Sequence, residues 1–128
     1  MQPGLDKEAG VCTVSAEIAK RVFYNDMSEA EGEKWSKELR PWNIGCTFSL
    51  SSYAGWRVIP STYMFCKRDE TVFGQWARML VDAASQERDG LGFMVDIEEE
   101  VDAGHAVMLS QPDWTVDILV RAAKAPAA

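Results

Sequence analysis

Hydrophobic and polar positions follow two different rhythms along this chain. Val14, Ile18 and Val22 recur every four residues, the spacing of one helix face, and Ser15 is placed to cap that helix. A second helix is expected in "NDMSEAEGEKWSKEL". There Ser28 and Glu31 form an S-x-x-E capping box, and Trp35 and Leu39 share a face. Gly32 weakens this helix slightly, and Pro41 marks its end. Residues 1–10 carry no such pattern and read as a flexible lead-in. The stretch "RPWNIGCTFSLSSYAGW" mixes aromatic and small residues, compatible with a helix, a lid loop or both.

Beyond it the rhythm changes. Val58, Ile59, Thr62, Tyr63, Met64, Phe65 and Cys66 are mostly β-branched or bulky, and the run stops at a charged cluster. Such a run predicts a strand buried on both faces, with Pro60 at its start. Val72, Trp76, Met79, Leu80 and Ala83 then repeat at the helical period. "ERDGLG" is a turn. Phe93, Val95 and Ile97 alternate before an acidic run, which predicts a second strand. Ser110 and Pro112 open a last helix. The second half therefore reads as a parallel βαβ unit with a right-handed crossover, plus a C-terminal helix. The first half reads as helices only. The fold class is α/β, divided into a helical segment at 1–57 and a core segment at 58–128.

Composition narrows the function. A chain of 128 residues fits one domain. Its net charge of −7 repels phosphate backbones and anionic membranes, and no basic stripe offsets it, so nucleic acid and membrane are not expected partners. No stretch approaches the roughly 20 apolar residues of a membrane span. The first ten residues lack the basic and apolar regions of a secretion signal. Three cysteines, an odd number without a CxxC pair, suggest a reduced, soluble, cytoplasmic protein. The five tryptophans need a core, a pocket or a partner to cover them.

Candidate chemistry gathers after the two strands, since parallel sheets place functional groups beyond the strand carboxyl ends. Asp69 follows the first strand; His105, the single histidine, follows the second. Adjacent parallel strands would bring their loops side by side. An aspartate on one imidazole nitrogen fixes the tautomer, leaving the other nitrogen to take and return a proton. Gly104 permits a tight turn before the histidine. Glu70 is an alternative acid, and a solvated turn is the plainer reading of Asp69. The acidic "DIEEEVDAG" lacks EF-hand spacing and reads as a solvated strand end, so no metal is expected. Cys46 and the serines of "FSLSSY" invite a nucleophile reading, with a small side chain buried in packing as the simpler one. Trp35, Trp42, Phe48, Tyr53 and Trp56 read as cap core, or as the wall of an apolar substrate pocket.

The segments "IPSTYMFCKRDETV" and "AGHAVMLSQP" resemble the C-terminal part of α/β-hydrolases, nearest the esterase-like group of plant methyl esterases and fungal relatives tied to secondary metabolism. Those proteins carry an acid in a c-x-x-D pattern and a histidine in GH-x-x-x-LS-x-P. "FYNDMSEAEGEKWSKELRP" and "SYAGWRVIPSTY" resemble their helical cap and its return to the core. The resemblance covers about residues 14–124. It implies Asp69 as acid and His105 as base, no cofactor, and a small apolar ester or lactone metabolite as substrate. The family's G-x-S-x-G nucleophile elbow occurs nowhere in this chain. The chain thus resembles a hydrolase without its nucleophile-bearing half, leaving an open edge on strand 58–66 for a second copy or a complementing chain. A non-catalytic remnant or binding module, and a fragment of a longer serine hydrolase, are the other readings.

Overall fold

The structure is a computed structural model that describes residues 4–57, 61–86 and 95–124. Val58, Ile59, Pro60, the "ERDGLG" turn and Phe93 lie outside the described residues.

Two small sheets organise the chain. The first is antiparallel, in the order β1 (Gly4–Asp6), β2 (Val11–Thr13), β3 (Trp42–Asn43). This corrects both the flexible lead-in and the helices-only reading of the first half. The β1–β2 connection is held by Ala9 N–H donating to Asp6 Oδ1 and by Gly10 at φ 67°, a conformation glycine adopts at no steric cost. Strands of two or three residues are too short to show a period, which is why the hydrophobic pattern misses them.

Between β2 and β3 lie α1 (Ala16–Val22) and α2 (Glu29–Glu38). Both begin as their caps dictate. Ser15 Oγ accepts from Ile18 N–H, and Ser28 and Glu31 form the reciprocal capping box. Ala19 and Tyr24 anchor a core cluster that also includes Ala106, with Val14, Phe23, Met27, Trp35 and Leu39 packed around it. That cluster joins the first half of the chain to the histidine loop.

After β3 come a short helix α3 (Ile44–Phe48) and a 3₁₀ turn at Gly55–Arg57. The second sheet is β4 (Ser61–Cys66) and β5 (Val95–Val101), paired in parallel and connected by α4 (Gly74–Gln86). The pairing sets Cys66 opposite Val101, with a register irregularity between Ser61 and Tyr63. Phe65 packs on Ala77 and Val81 of α4. The small residues of α4 thus face the sheet, whereas Trp76, Met79 and Leu80 are exposed, Trp76 by 61%. The short α5 (Val107–Ser110) and the long α6 (Pro112–Lys124) close the chain, with Pro112 in the first helical position. The architecture is a partial α/β fold with a parallel pair of strands and a C-terminal helix.

Candidate functional site

Beyond the strand ends, β4 and β5 stay zipped. Lys67 N–H donates to Val101 O, and Arg68 N–H to Ala103 O, both at 2.9 Å. The Arg68 guanidinium also donates to Asp102 O at 2.7 Å and pairs with the Asp102 carboxylate. The two loops therefore leave the sheet together. The next residues are Asp69 on one side and, after the buried Ala103 and Gly104, His105 on the other.

His105 Nδ1 and Asp69 Oδ2 are hydrogen-bonded at 2.9 Å. The other carboxylate oxygen, Oδ1, accepts from the backbone N–H groups of Thr71 (2.7 Å) and Val72 (2.9 Å). The carboxylate is thus fixed at both oxygens, and its side chain is only 12% exposed against 38% for His105. Glu70, in the same loop, is exposed. With Nδ1 committed to Asp69, Nε2 is the nitrogen able to exchange a proton with another molecule. The ring lies 5.3 Å from that of Phe23, tilted by 32°.

Across residues 5–118 the chain matches the model of the alpha/beta hydrolase family. It belongs to the alpha/beta hydrolase family. No curated protein matches it.

An apolar hollow of about 260 Å³ opens beside the histidine of this α/β-hydrolase chain, lined by Phe23, Tyr24, Leu39, His105, Ala106 and Met108. A second, of about 390 Å³, shares Phe23 and Leu39 as walls and runs on past Val14 and Pro41 to Trp42. Only the first of the two has His105 in its wall. Burial pushes the Tyr24 hydroxyl above its ordinary pKa, so it stays protonated at neutral pH.

The five aromatic candidates do not share one wall. Trp35 packs into the cluster of Ala19, Tyr24 and Ala106. Trp42 lines the outer hollow and donates through Nε1 to Thr47 Oγ1. Trp56 lines a separate hollow against Tyr63, Leu80 and Val81. Phe48 and Tyr53 are mostly exposed, which corrects their reading as cap core. The short α3 and the irregular residues after it give them no facing layer to pack on.

Cys46 is exposed on the short α3, which corrects its reading as a buried side chain. Cys66, at the end of β4, has its thiol pushed above its ordinary pKa, first by burial and then by the charges of Asp69 and Asp26. A thiol held protonated is a poor nucleophile. No group of three His, Cys, Asp or Glu among the described residues could hold a metal ion, and no helix among them is long and apolar enough to cross a membrane.

The sequence pattern passed over Phe23, Asn25 and Asp26. They lie between α1 and α2, in the stretch "FYND" that helical periodicity does not mark. The Asn-Asp pair is itself a turn signal, because both side chains bond readily to nearby backbone.

Proposed function

We propose that Asp69 and His105 are the acid and base of an ester hydrolase acting on a small apolar ester or lactone, of the kind handled by esterase-like enzymes of secondary metabolism. The observation that carries this reading is the 2.9 Å bond between Asp69 Oδ2 and His105 Nδ1 at the mouth of an apolar hollow. His105 Nε2 takes the proton of the attacking hydroxyl, and the oxygen adds to the carbonyl carbon. The imidazolium then gives that proton to the leaving alkoxide as the carbonyl re-forms. Asp69 holds the tautomer and balances the imidazolium charge.

This sequence carries no G-x-S-x-G. In our reading the attacking hydroxyl is a serine supplied from outside these residues, by further sequence or by a second chain, or else it is water. Residues 1–57 serve as a cap-like segment and 58–128 as the C-terminal part of the hydrolase core, in a cytoplasmic protein that needs no cofactor. β5 is the one strand paired with β4 among the described residues, and this open edge together with the exposed Trp76, Met79 and Leu80 supports cover by a second copy or a complementing chain.

The test is hydrolysis of p-nitrophenyl acetate and butyrate by the wild-type chain, His105→Ala and Asp69→Asn. General-base assistance is worth about 10²–10⁴ in rate, so both variants should lose most of the activity above background. Equal rates above background in all three would overturn the proposal, and background rates in all three would rule out water as the nucleophile and leave the serine to be supplied from outside these residues. The missing elbow favours a second reading, an apolar-ligand binding module. In that case an apolar dye binds in the hollow, and no ester turnover exists for His105→Ala or Asp69→Asn to lower.

A further inference from the structure

The last residue of α1 and the turn that follows it make four hydrogen bonds to the loops that carry Asp69 and His105. Asn25 Nδ2 donates to Arg68 O at 2.8 Å, and Asp26 Oδ2 accepts from Gly104 N–H at 2.7 Å. Thr71 Oγ1 donates to Val22 O, and Ala106 N–H to Phe23 O, both at 3.2 Å. These contacts fall on residues 68 and 71, flanking Asp69, and on residues 104 and 106, flanking His105. Two consecutive side chains, Asn25 and Asp26, each hold the residue just before one member of the pair.

We infer that Asn25 and Asp26 are positioning residues that set the distance between Asp69 and His105. The inference rests on the proposed role of that pair, and it concerns geometry that can be read without turnover. Strand pairing alone brings the loops together but does not orient the side chains beyond the strand ends. The turn supplies that orientation from outside the two strands.

Two observations show how tightly the turn is applied. A Cβ built on Gly104 would run into Asn25 Oδ1 and would lie 2.7 Å from Asp26 Oδ1, so a hydrogen is all that fits between the turn and the histidine loop. In addition, Asp26 Oδ1 is buried without a hydrogen-bond partner among the described residues. Burying an unsatisfied carboxylate oxygen is costly. The group is held there with its other oxygen on the Gly104 N–H. Neither residue makes a hydrogen bond to the imidazole, so neither is assigned a catalytic role.

The chain has one histidine, so a ¹⁵N-labelled sample gives a single imidazole. Its Nδ1–H, bonded to Asp69, should appear as a downfield proton resonance slow to exchange with solvent, and Asp69→Asn should remove it. Asn25→Ala and Asp26→Ala should each raise its exchange rate at least tenfold while far-UV circular dichroism is unchanged. Asp26→Asn, which keeps an acceptor for Gly104 N–H, should restore the wild-type rate. If Asp26→Ala does not fold, Asn25→Ala, at an exposed position, decides alone. Wild-type exchange in the alanine variants, or no slowly exchanging Nδ1–H in the wild type, overturns the inference. A chain that shows this series but hydrolyses esters at the same rate above background with and without His105 would sink the hydrolase proposal and leave the positioning role standing.

Discussion

The rings of Phe23 and His105 lie 5.3 Å apart at 32°, and the backbone beside them is joined by the Ala106 N–H to Phe23 O bond. Phe23 thus forms one face of the imidazole's surroundings and a wall of both apolar hollows. Ring pairs of this kind contribute about 0.5–1.5 kcal/mol beyond their buried area. Phe23→Ala should lower the urea midpoint by that contribution plus the cost of the cavity. Phe23→Leu, which keeps an apolar wall but loses the ring contact, should lower it less. In an ester assay Phe23→Ala should raise KM for the butyrate ester more than for the acetate.

Gly104→Ala puts a methyl group against Asn25, whose amide is bonded to Arg68 O, and against Asp26, whose carboxylate is bonded to the Gly104 N–H itself. Overpacking of this kind costs about 1–3 kcal/mol. Urea unfolding should show the loss. A second substitution, Asn25→Gly, makes room for the methyl group and should recover part of it.

The two accessible cysteines should differ in reactivity. Cys66 titrates above its ordinary value, through burial first and the neighbouring carboxylates second, so little of it is thiolate near neutral pH. Iodoacetamide at pH 8 should therefore label the exposed Cys46 well before Cys66, as read by peptide mass spectrometry. Asp69→Asn removes one of the charges acting on Cys66 and should speed its labelling.

The capping box of α2 gives a pH dependence with a defined sign. Glu31 is held below its ordinary pKa, chiefly by the hydrogen bond from the Ser28 hydroxyl and then by the Ser28 backbone N–H. A carboxyl lowered on folding contributes stability above its unfolded pKa and loses it as pH falls through the folded value. Wild type should be more stable than Glu31→Gln at pH 7. The gap should close on acidification below the ordinary glutamate range, because the amide mimics the protonated acid.

Trp76 and Leu80 lie on the exposed side of α4, and nothing among the described residues covers them fully. If a second copy covers this face, sedimentation velocity should show a mass that rises with concentration. Trp76→Lys combined with Leu80→Lys should then leave a monomer whose far-UV circular dichroism is unchanged. A wild-type monomer at every concentration would point to a complementing chain or to further sequence.

The parts of this fold that a pattern can show are those long enough to have one. The β4 run, the helical spacing of α4 and the two helix caps all repeat or pair over several residues, and α6 is marked by Pro112 at its start. The Asp69–His105 relation was legible because each residue follows a strand and parallel strands finish on one side. The sheet of β1, β2 and β3 was not legible, since its strands are too short to alternate. The aromatic residues of 42–56 were misplaced for a different reason. Side-chain size says that cover is wanted, but only tertiary packing says whether it exists. In α4, likewise, the small Ala77 and Val81 take the sheet side while the larger Trp76 and Leu80 do not. The Asn25–Asp26 contacts span far too much sequence for any local rule to propose them.

The parallel ladder sets Cys66 opposite Val101 and continues through residues 67 and 68. A slip of one residue between the strands would carry the imidazole about 3.3 Å along the sheet, more than the whole length of its bond to the carboxylate. Sheet register therefore works as a ruler for a contact made outside the sheet. Any insertion within β5 that the strand absorbs by sliding should silence the pair without altering a single one of its residues.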